Sequence, residues 1–339
     1  MSRAVDTLAQ VRLLKTVRGD HWNGITSTYE ISSALLDLAQ RHNITENSLT
    51  LALPPESLVK LRQGNSKTPL APYEPTADTR RWEASLDAYN AFQAQQDIAL
   101  EATAEEEAEW VRHWNKERAE DRPSLIRPER FRTGLYRTFN NCSFEQGGRM
   151  YGGWWINTPK SLRKKITING QPTVELDFSG CAVRMLYHER GIDYQGDPYR
   201  LEAIAAYELE VGLKADHFRE AVKAITQALI NDCDGLHPEA IALPDGLSFR
   251  PKFKRAEVRR MIEEEHAPIA DAFRTGAGLR LQRQDSDLAL EIIGTLREQG
   301  IVALPIHDSF VVNTASRDNL LKQMNLSYEA RFGFNPVVK

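Results

Sequence analysis

Two short apolar runs that lead into aspartates constrain this chain more than any other feature. Thr173-Val174-Glu175-Leu176-Asp177-Phe178 has the pattern of a β-strand. Near the C-terminus, Ile301-Val302-Ala303-Leu304-Pro305-Ile306 and Phe310-Val311-Val312 flank the polar triplet His307-Asp308-Ser309. Two β runs joined by so short a polar turn predict a hairpin with an aspartate at its tip. An aspartate ending a core strand is costly unless a cation or hydrogen bonds meet it. Either one alone has an ordinary explanation, capping of the next helix. Two of them far apart in sequence are able to converge on a hard divalent cation, which takes oxygen ligands.

Between the two runs lies a helix of definite polarity. Phe218, Val222, Ile225 and Leu229 recur at i, i+4, i+7 and i+11 as an apolar stripe. Arg219, Lys223, Gln227 and Asn231 rise beside it, one per turn, and put two cations and two amides on one edge. That ladder suits a triphosphate followed by a sugar and base, although a solvated Arg/Lys edge has the same spacing. Asp216 is placed to cap this helix. Further helices are expected from Ser179 to Arg190, from about Arg255 to Phe273, and from Ser286 to Gln299 with Gly300 as its stop.

The first part of the chain reads differently. Val11, Leu14 and Val17 share one helical face, and Ile31, Leu35, Leu36 and Leu38 repeat the spacing after Ser27-Thr28. Pro54, Pro55, Pro69, Pro72 and Pro75 predict a linker or long loop between Leu53 and Asp78. From about Thr79 to Glu120 the pattern is one long charged helix, with Glu105-Glu106-Glu107 as a solvated face. The expected division is an N-terminal helical region over 1-120 and a core over 121-339.

Charge is uneven along the 339 residues, although 43 Lys+Arg nearly balance 47 Asp+Glu. Cations gather at Arg112, Lys116, Arg118, Arg122, Arg127, Arg130, Arg132 and Arg137, again at Arg163-Lys164-Lys165, and again from Arg250 to Arg260. Such clusters either neutralise phosphates together or form separate solvated faces. No run nears the roughly 18 apolar residues of a membrane span, and Met1 to Asp6 holds no apolar signal core. Cys142, Cys181 and Cys233 are odd in number and far apart, which suits neither a zinc site nor a disulfide framework. A cytoplasmic protein without a membrane partner is expected.

In its order of strand aspartate, Arg-x3-Lys helix and His-Asp hairpin, the chain resembles the A-family nucleic-acid polymerases. These are the bacterial repair DNA polymerases and the single-subunit phage and mitochondrial RNA polymerases. Leu176-Asp177-Phe178-Ser179-Gly180-Cys181-Ala182-Val183-Arg184 is similar to their first palm motif, and Arg219-Glu220-Ala221-Val222-Lys223 to the start of their fingers helix. Ile306-His307-Asp308-Ser309-Phe310 resembles the last palm motif, its Ser-Phe ending nearer the RNA polymerase branch. Gly147-Gly148-Arg149-Met150-Tyr151, with Arg163 beyond, resembles the Gly-Arg segment that touches the primer-template minor groove. The likeness covers about Arg132 to Val312.

The resemblance implies an α+β right-hand palm with an antiparallel sheet and inserted fingers helices. The helical N-terminal region would be a thumb or a dock for template or a replication partner protein. It further implies Mg²⁺, or Mn²⁺, held by Asp177, Asp308 and the Phe178 carbonyl in two-metal phosphoryl transfer. Arg219 and Lys223 would hold phosphates, with Lys223 the proton donor to pyrophosphate. Gln227, Asn231 and Ala182 would border the nucleotide. Arg149, Arg163 and His307 would meet nucleic acid, His307 orienting the primer terminus because hard Mg²⁺ prefers oxygen. The implied partners are a DNA template, a primer strand and nucleoside triphosphates.

Two departures bear on sugar choice. The DNA polymerases carry a glutamate where this chain has Ala182, and the RNA polymerase branch has a small residue there, so ribonucleotides should be tolerated. Both branches carry Tyr-Gly where this chain has Asn231-Asp232. No Gly-x4-Gly-Lys-Ser/Thr loop or proofreading constellation is present. The implied protein is a minimal primase or polymerase of a mobile element, phage or plasmid. The alternatives are a DNA polymerase with poor sugar discrimination, a non-catalytic nucleic-acid-binding module, and a two-metal nuclease using Glu175 as a third acid.

Overall fold

The computed structural model describes residues 3–17, 28–44, 57–64, 68–116, 133–233, 235–244 and 246–339. The chain divides into two compact units, Met1–Leu53 with Glu129–Arg132, and Pro54–Pro128 with Thr133–Lys339.

In the first unit, helix α1 (Arg3–Gln10) is followed by strands β1 (Leu14–Val17) and β2 (Thr28–Ile31) and helix α2 (Ser33–Arg41). The strands pair antiparallel, and the Lys15 ammonium meets Glu30 at 3.0 Å across them. The expected helix through Val11, Leu14 and Val17 is therefore corrected. Arg12 takes a positive φ of 60° that ends the helical path, and the β-branched Thr16 and Val17 pair as strand. The second helix starts later than expected, because Ser32 accepts from the Leu35 N–H at 3.3 Å and caps it. Ser27 lies outside the described residues.

The second unit is a mixed α+β structure. Strand β3 (Val59–Leu61) falls inside the expected linker. The expected long helix is two, α3 (Ala77–Gln93) and α4 (Ala104–Lys116), separated by strand β4 (Ile98–Leu100). Ile98 and Leu100 alternate inward and pair with β7, a pattern that three residues are too few to reveal in sequence. Beyond the basic segment come β5 (Tyr136–Asn140), β6 (Ser143–Tyr151), α5 (Lys160–Arg163), β7 (Ile166–Ile168) and β8 (Gln171–Asp177). Helices α6 (Cys181–His188), α7 (Glu202–Glu210), α8 (Arg219–Asn231), α9 (Arg255–Glu265) and α10 (Ala277–Glu298) follow. The chain finishes with β9 (Ala303–Ile306), β10 (Ser309–Asn313) and α11 (Arg317–Phe332).

Among the described residues of this unit, β4-β7-β8-β10-β9 form an antiparallel five-stranded sheet and β3-β5-β6 a three-stranded one. The sheet carrying both aspartates is anchored by Leu176, Phe178, Phe310 and Val311, all buried, with Phe178 tilted against Tyr328 of α11 at 5.4 Å. Helix α9 stops at Glu265 rather than Phe273, since Pro268 cannot donate the backbone bond that would continue it. Helix α10 begins well before Ser286. Its inward positions Leu281, Leu288 and Ile292 are buried. No helix among the described residues is long and apolar enough to cross a membrane.

Candidate active site

Asp177 and Asp308 arrive from adjacent segments of one sheet. Asp177 ends β8 opposite Ser309, the first residue of β10, and the Phe178 N–H donates to the Asp308 carbonyl at 3.1 Å. On its other side the Asp177 backbone exchanges bonds with Lys339, at 2.9 Å and 3.0 Å. Both carboxylates line a cavity of about 310 Å³.

The opposite wall comes from α6, α8 and α10. Lys223, Gln227 and Asn231 of the ladder line the cavity, as does Ala182 of α6. Two glycines make this wall possible. Gly180 starts α6 at φ 62°, where a Cβ would also lie 2.7 Å from Pro198 Cγ. At Gly278 of α10 a Cβ would collide with Asn231 Oδ1, so the close approach of α10 to the end of α8 requires glycine.

The ladder is divided. Arg219 turns away from the cavity and is held by Asp197 through two bonds, at 2.7 Å and 3.1 Å. Its guanidinium stands 5.1 Å from the Tyr199 ring centroid, and Lys223 stands 5.9 Å from the same ring. Tyr199 itself lines the cavity and accepts from Gln227 Nε2 at 3.1 Å. The loop bearing it is pinned from below. Arg184 donates to the carbonyls of Ser179 and Gly196, each at 2.8 Å, and to that of Tyr194. His266 Nε2 meets the Pro198 carbonyl at 2.9 Å. A carbonyl only accepts, so His266 carries its proton on Nε2 and its Nδ1 accepts from the Tyr187 hydroxyl.

Asp285 is the acid that sequence reasoning missed. It is buried, lines the cavity and accepts from Arg149 Nε at 3.4 Å. Leu281, Asp285, Leu288 and Ile292 recur at i, i+4, i+7 and i+11, so a carboxylate interrupting an apolar stripe was the available signal. Starting the helix at Ser286 hid it. Tyr199 had no comparable signal, because nothing in Gly196-Asp197-Pro198-Tyr199 points to α8.

The electrostatics follow from crowding. Burial, then the charge of Asp308, pushes the Asp177 carboxyl up to about 6, against the lowering effect of Lys160 and Lys223. Burial raises Asp285 as well, despite Arg149. Burial, then the charges of Arg149 and Arg163, lowers His307 to about 4, so its imidazole is neutral at physiological pH. His307 holds a φ of 59° at the hairpin tip, and its buried Nδ1 has no hydrogen-bond partner among the described residues.

Arg163 lies apart from the cavity in a chain of its own. It meets Glu175 at 2.6 Å, and Ser309 Oγ donates to the same carboxylate at 2.8 Å. Of the first basic cluster, Arg137 is fully buried and pairs with Asp287 at 3.0 Å, while Arg118, Arg122, Arg127, Arg130 and Arg132 lie outside the described residues.

The donors facing the cavity fit a hard cation. Asp177 and Asp308 supply oxygens whose mutual repulsion a divalent ion would offset, and Phe178 borders them. Among the described residues no group of three or more His, Cys, Asp or Glu is arranged to hold a metal, so such an ion would rest on these two carboxylates and backbone oxygen. No family model matches the chain, and no curated protein matches it.

Proposed function

We propose that this protein catalyses template-directed nucleotidyl transfer, joining nucleoside triphosphates to a primer strand or starting a strand on a template. The observation that carries this reading is the convergence on one cavity of Asp177 and Asp308 with the α8 residues Lys223, Gln227 and Asn231. A carboxylate pair facing a cation and amides across about 310 Å³ matches a triphosphate, whose charge needs offsetting at both ends. The sheet with its facing helices suits a palm and fingers arrangement of the A-family polymerase kind.

Asp177, Asp308 and the Phe178 carbonyl would hold Mg²⁺, which when bound supplies charge stabilisation to the attacking and leaving oxygens. Lys223 faces the opposite end of the nucleotide and offsets charge on the departing pyrophosphate, to which it is able to give a proton. Neutral His307, beside Asp308, orients the terminal sugar by hydrogen bonding without adding charge. Arg219, already committed to Asp197, steadies Tyr199 at the cavity wall. Of the two acids that a nuclease could recruit as a third, Glu175 is occupied by Arg163 and Ser309 and Asp285 by Arg149, which weighs against that alternative.

The test is a labelled primer on a template, incubated with the protein, Mg²⁺ and nucleoside triphosphates. Extension by added nucleotides is expected. Shortening of the primer overturns the reading in favour of a nuclease, and binding with neither outcome in favour of a non-catalytic module.

A further inference from the structure

The three-stranded sheet carries on one face a set of side chains of which the cavity takes only Arg149. Along β3, Val59 and Leu61 point into the core while Lys60 stays half-buried, and Arg62 continues the alternation. The register carries this face across the sheet. Lys60 lies opposite Thr138, Thr138 opposite Arg149, and Tyr136 opposite Tyr151, and paired residues share a face. Lys60, Arg62, Tyr136, Arg149 and Tyr151 therefore form one surface of cations and aromatic rings.

Its order is directional. Lys60 Nζ stands 4.3 Å from the Tyr136 ring centroid, and the Tyr136 and Tyr151 centroids are 6.1 Å apart. Tyr151 then meets the His307 ring edge-on at 6.3 Å, next to Asp308. Arg149 lines the cavity itself. The surface thus runs from β3 to the cavity mouth. Tyr151 is 37% exposed, a large ring left open to solvent. Arg62 donates to the Thr68 carbonyl at 2.6 Å, and among the described residues no carboxylate pairs with it.

We propose that this face is a track for single-stranded nucleic acid leading into the cavity, with phosphates on Lys60, Arg62 and Arg149 and a base stacked on Tyr151. Cations interleaved with aromatic rings are how proteins hold single strands without reading sequence. The 6.1 Å between the two rings exceeds the spacing of stacked bases, about 3.4 Å per strand in a duplex. Neighbouring bases that engage both rings are therefore unstacked from one another, which a single strand permits and a duplex does not. The track extends the nucleotidyl-transfer reading but binds without metal or nucleotide, so the two are separable.

The experiment is anisotropy of a fluorescein-labelled oligothymidylate titrated with the full chain in EDTA, against a duplex of equal length. Wild type is expected to prefer the single strand. Tyr151→Leu should weaken that binding about tenfold, whereas Tyr151→Phe, which keeps the ring, should bind within about twofold of wild type. Lys60→Gln with Arg62→Gln should flatten the dependence of log affinity on log salt by about 0.7 per cation removed. Arg260→Gln on α9 should change neither quantity. Thermal melting checks that each variant folds, and the cation pair keeps the test intact if Tyr151→Leu does not. Binding by Tyr151→Leu and by the cation variant that equals wild type overturns the track, as does a preference for duplex that ignores Tyr151. Normal binding with no primer extension would leave the track standing and remove the catalytic reading instead.

Discussion

Along α9 and the segment leading into it, cations meet acids: Lys252 faces Glu210 at 3.3 Å, Arg259 faces Glu263 at 3.4 Å, and Arg260 faces Glu264 at 3.5 Å. Around the cavity the arrangement is the reverse. Asp177 and Asp308 repel one another, Asp285 adds a third acid nearby, and among the described residues the only carboxylate within ion-pair distance of Lys223 is Glu220, at 3.9 Å. Both regions are dense in charge when read as sequence. The first is offset within its own surroundings, partly through i,i+4 pairs that any helix allows. The second gathers like charges where burial makes them costly, and an arrangement that works against stability is what a binding site for an opposite charge requires.

The sharpest way to break this contrast is to remove one cavity carboxylate. Asp308→Ala should lower nucleotide incorporation by on the order of 10³ or more, equivalent to about 4 kcal/mol of transition-state stabilisation. Template affinity measured by anisotropy should stay within about twofold, because Asp308 faces the cavity rather than a strand. An Asp308→Ala protein that extends primers at a near-normal rate would remove the cavity from the chemistry altogether.

The sequence carried the centre of this site and lost its rim, for physical reasons. Strand β8 and the β9–β10 hairpin were legible because their apolar runs are bounded by polar turns, and α8 because its stripe and ladder repeat every turn. Side-chain periodicity locates a residue on its own element only. It placed Arg219 on the same edge as Lys223, but could not show that Asp197, which precedes it by 22 residues, takes that guanidinium. Asp285 escapes because a helix expected from Ser286 leaves it just outside, although α10 starts at Ala277, and β4 because a three-residue strand has no period of its own. The basic clusters were legible as composition but not as pairing, since Glu210 and Glu239 reach the Arg250 to Arg260 segment from distant parts of the chain.

A second test sharpens the comparison at the sugar. Ala182 lines the cavity in the first turn of α6, five residues beyond Asp177, and its methyl leaves space where a glutamate would reach. Wild type should therefore use ATP at a rate comparable to, or above, dATP opposite the same template base. Ala182→Glu should depress ribonucleotide use selectively by about tenfold, which needs only about 1.4 kcal/mol of differential cost. Parallel single-turnover assays decide it. If wild type already rejects ATP by orders of magnitude, Tyr199 with its Gln227 bond is the group closing the site.

The crowding itself has a signature in stability. Asp177 is raised to about 6 in the fold from an ordinary value of about 3.9. Its protonated form is favoured in the native state, so stability falls as pH rises between these values, and the cost is complete above about pH 6. Asp177→Asn removes that cost. Without added metal the variant should be more stable than wild type by about 1 kcal/mol at pH 7.5, allowing for screening at a partly exposed carboxylate, and equal to it near pH 4. Added Mg²⁺ should raise the melting temperature of wild type and not that of the variant. A variant less stable than wild type at pH 7.5 would mean that the carboxylate is satisfied within the protein and is not a vacant cation ligand.

The smallest effect is expected from the paired region. Arg259→Ala together with Arg260→Ala deletes two cations whose partners, Glu263 and Glu264, lie one turn away on the same helix. Helix pairs at i,i+4 are worth about 0.3–0.5 kcal/mol each, so the melting temperature should barely move. Because each arginine is offset by a glutamate one turn away, Glu263 serving Arg274 as well, neither should release counterions from bound nucleic acid. The slope of log affinity against log salt should therefore match that of wild type. A slope flatter by about one unit per arginine would show that these side chains leave their glutamates for phosphates. Pairing in the free protein would then no longer separate a solvated face from a binding one, and α9 would join the nucleic-acid surface.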